Sequence, residues 1–385
     1  MSNALEQASL IMVPSGYEDG TLGSLKPTDG SGDFTFSRGS DISATRVNAD
    51  GYIEKGYENL LLQSNSFDTT WFPSGLTLIS GQAGYDGSND AWLFDKNNAG
   101  SSDYIRVDNS VSGVSTASFY SKSNTLDWAF ILIFDGAAQK RAWFNVSTGE
   151  LGTLLNVIDA SIESAGNGYY RCSVSVSGCT QLRIYAGVTD GVATGSLGSI
   201  YIQDAMLNQG LVALPYLETT TTTVKAGVLE DTPRLDYSGG ATEPSLLLEP
   251  SRTNLVRQSE YFGDNLWSGR VQVTPNAAIS PEGKNNATLL SDTSLSNTLS
   301  YIRALNTGAT TIGATYTLSL YVKPKGNSRS FKFWARNTDA PATFFDLAEG
   351  TTSEPSTSTI EDAGDGWFRV SSTGSLVSGT LAAYF

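Results

Sequence analysis

The feature that most constrains this chain is a phrase it spells twice. Residues 58–71 read ENLLLQSNSFDTTW, and residues 253–267 read TNLVRQSEYFGDNLW. Asn59, Gln63, Ser64 and Phe67 match Asn254, Gln258, Ser259 and Phe262, and Trp71 matches Trp267 after a one-residue slip. The likeness continues in the same order. Tyr104-Ile105-Arg106 returns as Tyr301-Ile302-Arg303, and SFYSK at 118 returns as SLYVK at 319. Phe144 and Gly149 return as Phe345 and Gly350, and IESAGNGYYRCS at 162 as IEDAGDGWFRVS at 360. The offset drifts between 195 and 201, as it does when loops change length while strands hold their order. One module is therefore present twice.

The first copy is expected over 57–217 and the second over 253–385. GTLAAYF at 379 aligns with LRIYAG at 182, so the second copy has no counterpart of SIYIQDAMLNQGLVALPYLET. It is expected to be C-terminally incomplete: the sequence is a fragment of a longer protein, or another subunit completes the module. Residues 1–56 and 218–252 are lead-ins rich in Gly, Pro and Asp, without cores of their own, and TTTTTVK at 219 is a β-prone connector.

YTLSLYVKP, FKFWARN, ASFYSK, WAFILIF and RCSVSVS alternate or run apolar over short spans, separated by turn residues. AGNGYYR and AGDGWFR read as hairpins, with Asn-Gly and Asp-Gly supplying positive φ. No sustained helical period appears. The fold expected is all-β: two tandem antiparallel β-sandwich (jelly-roll) modules behind an extended N-terminal anchoring segment.

Alternation assigns faces. Tyr316, Leu318, Leu320 and Val322 fall on one side of a strand, with Phe331, Phe333, Ala335 and Phe345 as further core. The opposite face then carries Tyr321, Lys323, Trp334, Arg336 and Phe344. In the first copy the same count places Tyr120, Lys122, Ile131, Ile133 and Trp143 there. Aromatic rings beside polar groups suit saccharides, whose CH faces pack on rings while their hydroxyls find donors and acceptors. The same composition suits a face packed on a neighbouring subunit. Trp71 and Trp267 read as staples closing the sandwich end. Asp86, Asp90 and Asp95 in GYDGSNDAWLFD suggest a calcium loop or an ordinary Asx-turn loop.

Composition removes whole classes of chemistry. There is no histidine among 385 residues, which excludes His-dependent nucleophiles, His proton shuttles and His metal ligands. A net charge of −15 disfavours nucleic acid and anionic membrane surfaces. No apolar run is long enough to span a bilayer, and the N-terminus has no secretory pattern. Cys172 and Cys179 read as buried thiols or as a disulfide across neighbouring strands. No acidic pair stands out for glycoside hydrolysis, so no catalytic role is expected.

The two phrases resemble the opening signature of galactose-binding-like jelly rolls of the carbohydrate-binding-module type. The lead-ins DGSGDFTFSRGSDISATRVNADGYIEKG and TPRLDYSGGATEPSLLLEPSRTNLVRQSEYFGDNLW resemble bacteriophage virion fibre and appendage proteins. In those proteins the two lead-in motifs run together ahead of one module. Here a whole module separates them. The resemblance implies a non-enzymatic structural protein of a phage head or tail fibre. It implies a homotrimer attached to other virion proteins by its N-terminal segment, with adhesion to host-surface glycan. A purely architectural or capsid-decorating protein is the alternative, and a depolymerase a third reading.

Overall fold

The computed structural model describes residues 6–18, 20–42, 44–292, 300–304, 308–326 and 329–385. The expectation about a secretory leader falls partly on residues 1–5, outside the described residues. The chain is all-β with antiparallel pairing. No helix of the described residues is long and apolar enough to cross a membrane. There are two compact units: Met1–Arg46 with Glu54–Asp236 and Pro244–Leu246, and Val47–Ile53 with Tyr237–Glu243 and Leu247–Phe385.

The sandwich of the first unit has ten strands: β1 (Phe72–Ser74), β2 (Leu76–Gln82), β3 (Ala91–Lys96), β4 (Tyr104–Ser123), β5 (Trp128–Phe134), β6 (Gln139–Asn145), β7 (Glu150–Leu155), β8 (Asp159–Gly166), β9 (Tyr169–Gly187) and β10 (Ser199–Gln209). β4 and β9 pair from Tyr104↔Tyr185 to Ser121↔Tyr170, with irregularities around Val111. Their two ends belong to different layers. One layer runs β1-β4-β9-β5-β6-β7, and the other runs β8-β9-β4-β10-β3-β2. Phe67, Phe94, Phe119, Phe144, Ile131 and Ile133 are buried in one cluster between them. Each such side chain contributes about 1.5–3 kcal/mol on burial.

The second unit has β11 (Trp267–Gly269), β12 (Gln272–Ala278), β13 (Ala287–Ser291), β14 (Ile302–Ala304), β15 (Thr315–Val322), β16 (Ser330–Arg336), β17 (Thr343–Asp346), β18 (Thr351–Thr352), β19 (Ser358–Asp362), β20 (Phe368–Ser375) and β21 (Ala382–Tyr384). Its six-stranded sheet, β11-β14-β21-β16-β17-β18, repeats the first layer strand for strand. The second layer is divided into β19-β20-β15 and a separate β12-β13 pair. Among the described residues no strand stands where β10 stands in the first unit. Phe333, Phe345, Val370 and Leu318 are the buried centre of this unit's own core.

The repeated phrase is a turn that seats a tryptophan. Gln63 and Gln258 both have φ of 51°. That left-handed kink turns the Gln carbonyl to accept the indole Nε1–H of Trp71 at 3.1 Å and of Trp267 at 3.0 Å. Each indole meets a phenyl ring edge-on, Phe67 at 5.2 Å and Phe262 at 4.7 Å. The phrase's Asn also repeats: Oδ1 of Asn59 accepts from Leu61 N, and Oδ1 of Asn254 from Val256 N. Beyond that the copies part. Asn59 is buried, accepts from Leu207 N and donates to Ala205 and Leu217 carbonyls, all on or after β10. Asn254 is exposed and donates to Ser259.

The lead-in of the first unit forms a three-stranded sheet, Ile11–Glu18, Thr21–Lys26 and Phe34–Thr35, with Leu22 buried. Arg38 ties it to the chain after the sandwich, donating to the carbonyls of Leu229, Glu230 and Thr232. Both hairpins occur, with φ of 50° at Asn167 and 51° at Asp365 followed by left-handed glycines.

Cys172 and Cys179 are free and buried. They sit seven residues apart along β9, roughly 20 Å at the strand rise, so no disulfide joins them. Burial pushes both thiols up, that of Cys179 to about 11. We predict that neither reacts with a water-soluble disulfide reagent at pH 8 until denaturant is added. Fast labelling of the native protein would refute their burial. A second prediction concerns the turn. Gln63→Gly leaves stability unchanged or raises it slightly, whereas Gln63→Val lowers it by about 1–2 kcal/mol, because only glycine occupies left-handed backbone freely. Urea unfolding of the two variants checks this.

Candidate functional site

The face expected as one site is divided by the sandwich. Tyr321 and Lys323 lie in and just beyond β15, on the outer side of the three-stranded sheet. Trp334, Arg336 and Phe344 lie on the outer side of the six-stranded sheet. The same division separates Tyr120 and Lys122 from Trp143. Within the alternating strands β15, β16 and β17 the faces are as expected, but which strands share a layer is set by pairing that the count does not contain.

In the second unit the outer face of β16 and its neighbours is open. Phe344 is 56% exposed, Arg336 is exposed and Trp334 is half-buried. Trp334 stands opposite Tyr384, which stands opposite Arg303 on β14. Lys332 stands opposite Phe344. Cations and rings interleave: Lys332 Nζ lies 5.5 Å from the Phe344 centroid, and the Arg336 guanidinium lies 5.7 Å from the rings of both Trp334 and Tyr384. Arg303 and Arg336 both donate to Tyr384 Oη, at 2.8 and 2.9 Å. The bond from Arg303, seconded by that from Arg336, holds this phenol below its ordinary value.

In the first unit the equivalent row of rings is covered. Ile131 and Ile133, expected to look outward, are buried in the core, and Phe130 and Leu132 look out instead. A run of apolar residues carries no phase, and a one-residue slip exchanges the faces. Trp143, Phe130, Tyr185 and Tyr104 occupy one row across β6, β5, β9 and β4. Phe130 stacks on Trp143 at 3.9 Å and on Tyr185 at 4.1 Å, so these ring faces are spent on one another. Ala193, in the segment 188–198, packs on the row. That segment is fastened by Asp190 to Thr153 N and Oγ1, both at 2.8 Å, and by Lys96 Nζ to Ala193 O. The adjoining row reads Arg141, Leu132, Arg183, Arg106 and Phe72. These three arginines were not singled out as site residues from sequence. The recurrence of Tyr-Ile-Arg at 104 and 301 was the signal available.

On the other layer, Tyr120 is buried and stacks on Tyr85 at 3.8 Å. Lys122 and Lys323 do the same job in the two units. Each donates to the turn carbonyl of its hairpin, Asn167 O at 3.0 Å and Asp365 O at 2.5 Å. Tyr321 is 38% exposed and faces Arg369 across the ladder.

Of the calcium-loop candidates, Asp86 and Asp90 come together around Ser88 Oγ and Gln203 Nε2, with Gln203 bonding Asp90 at 2.7 Å and Asp86 at 3.3 Å. Asp95 sits on β3 opposite Ser199. Among the described residues no group of three or more His, Cys, Asp or Glu is arranged to hold a metal ion. Beside this pair Asp204 occupies a left-handed bulge of β10, with φ of 54°. Its amide donates to Asn65 Oδ1, and its carboxyl accepts from Tyr85 Oη at 3.1 Å. Burial pushes this carboxyl up to about 7, and the charges of Asp90 and Asp86 add to the rise.

No protein-family model and no curated protein matches the chain. Several solved structures are similar over about two fifths of it. One is the enzymatically active domain of tailspike protein 4 of bacteriophage CBA120, at 14% identity and TM-score 0.24, covering 39% of this chain and 21% of that one. Another is the carbohydrate-binding module CBM29-2, at 14% identity and TM-score 0.24, covering 40% and 91%. A third is the mannan-recognising module TmCBM27, at 16% identity and TM-score 0.23, covering 42% and 99%. The chain thus matches about a fifth of the tailspike's length. At these scores the likenesses say nothing about ligand or assembly.

The Asp204 site makes stability depend on pH. Its folded value lies above the ordinary 3.8, so the folded state favours the protonated form. That contribution is complete below about pH 4 and is lost as pH rises through about 7. Each unit of difference is worth about 1.4 kcal/mol. We predict that the first unit's unfolding midpoint falls between pH 5 and 8, and that Asp204→Asn removes most of the slope. Denaturant melts at several pH values test it, and an unchanged slope in the variant would place the effect elsewhere.

Proposed function

We propose that the chain is a non-catalytic, carbohydrate-binding subunit of a bacteriophage virion appendage, a head or tail fibre. In this reading it assembles as a homotrimer, is held to other virion proteins through its first 56 residues, and presents its sandwiches to host-surface glycan. The observation that carries the binding part is the open outer face of the second unit. Phe344, Trp334 and Tyr384 offer ring surface there, and Arg303, Arg336 and Lys332 offer donors. A pyranose needs such pairing of apolar face and polar rim. The virion part rests on the lead-in motifs, SRGSDISATRVNADG and PRLDYSGGATEPSLLLEPSRTNL, and on their resemblance to phage appendage proteins.

A purely architectural role is the second reading. The first unit's outer aromatic row favours it, since those rings stack on one another under the segment 188–198.

Light scattering of the intact chain followed by a glycan array tests the proposal. The expected result is a trimer with a defined saccharide ligand. Trp334→Ala is expected to weaken that ligand at least tenfold, about 1.4 kcal/mol, with the trimer unchanged. A variant that loses the trimer and no affinity would favour the architectural reading.

A further inference from the structure

The two outer faces differ in their rings but agree in charge. Arg106 on β4 and Arg303 on β14 are repeat equivalents, and each stands opposite a residue of the next strand in its layer, Arg183 and Tyr384. Around Arg106 the same row holds Arg183 and Arg141. Around Arg303 stand Arg336 and Lys332. These six are a quarter of the chain's 24 lysines and arginines, in a protein of net charge −15. Random placement on an acidic surface would pair them with carboxylates. Of these six, among the described residues, only Arg106 is ion-paired, with Asp108 at 3.6 Å.

The other partners are neutral. Arg183 Nε donates to Gln181 Oε1 at 2.6 Å and Nη1 to Tyr185 Oη at 3.3 Å, and Arg141 donates to Gln139 Oε1. Arg303 and Arg336 share Tyr384 Oη. The Nε atoms of Arg106, Arg141 and Arg303 are buried without a hydrogen-bond acceptor. The nearby carboxylates are largely engaged with neutral donors. Asp108 Oδ1 takes Gln181 Nε2 at 2.7 Å, and Asp346 Oδ1 takes the amides of Ala348 and Glu349. Each face also keeps an exposed ring beside its cations, Phe72 and Phe344, both 56% exposed.

We infer that these equivalent faces bind acidic saccharides, with the arginines taking a carboxylate or sulfate and the exposed ring packing on the sugar. The inference rests on the carbohydrate-binding reading and adds the ligand's charge. Guanidinium matches carboxylate and sulfate oxygens geometrically, and a hydrogen bond to an ionised group is roughly twice as strong as a neutral one. The protein's overall negative charge does not cancel this. At physiological salt the Debye length is about 8 Å, so distant carboxylates are screened while the adjacent arginines are not.

The test is calorimetric titration of the full chain at 0.15 M salt with oligogalacturonate, a sulfated galacto-oligosaccharide and a neutral galacto-oligosaccharide of the same length. A DNA oligonucleotide serves as a polyanion control. The expected result is binding of an acidic sugar at least tenfold tighter than the neutral one, weakening as salt rises. Arg141→Gln with Arg183→Gln, and Arg303→Gln with Arg336→Gln, each lower affinity about tenfold, and the corresponding lysine variants keep most of it. An unchanged unfolding midpoint shows that the glutamine variants are folded. If only the neutral sugar binds, or both sugars bind alike, the charge inference fails and the saccharide reading stands. If no sugar binds, both fail. If DNA binds as tightly as the acidic sugar, or if acidic binding survives both double substitutions, the assignment of these faces is wrong.

Discussion

The sandwich of the first unit is registered against one pairing, that of β4 with β9. These two strands hydrogen-bond to each other from end to end while passing from one layer of the sandwich to the other. The irregularities around Val111 are where the change of layer occurs, as bulges bend and twist a strand. Strands β1, β5, β8 and β10 pair directly with one end or the other of this pair, and β6, β7, β3 and β2 follow outward from them, so its register propagates across both sheets. The second unit obeys the same plan with each long strand divided in two, β14 with β15 and β20 with β21. This is why the repeat is recognisable strand by strand although its sequence identity is thin.

Much of this was legible in the sequence, and the failures have a physical pattern. The repeat was visible because its most repeated residues perform backbone jobs that few substitutes can do. Gln63 and Gln258 hold a left-handed kink, Asn59 and Asn254 accept a local amide, and a tryptophan is seated on each kink. The core of the second unit was legible because YTLSLYV and FKFWAR truly alternate. WAFILIF does not alternate, so its phase is set only by Ile131 and Ile133 meeting the core, and composition holds no trace of that. The grouping of Tyr321 with Trp334 failed for another reason. Both look outward, but from opposite layers, and the layer of a strand depends on partners far away in sequence.

The candidate site shows the same limit more sharply. Alternation puts Lys122 and Lys323 on the outward face with Tyr120 and Tyr321, where they read as ligand-facing cations. Their ammonium groups instead satisfy the carbonyls of the two hairpin turns. Arg183 and Arg141 lie in different strands, and nothing along either strand links them. Only cross-strand pairing sets them in line with Arg106, and a row across a sheet is invisible to any window along one strand.

The position of β10 has a consequence for how the chain acquires its structure. It is the last strand of the first sandwich to be synthesised, yet it lies inside its layer, between β4 and β3. Beyond it, Thr219 donates twice, its hydroxyl to Leu61 O and its amide to Ser64 Oγ, reaching back to the opening turn. The layer therefore cannot close until some 150 residues, counted from Tyr57 to Gln209, have left the ribosome. Pairings at such separation fold slowly. Until β10 arrives, the facing edges of β4 and β3 stand open beside each other. Until it is filled, that gap is where a β10 strand from another copy of this chain would fit as well as the chain's own.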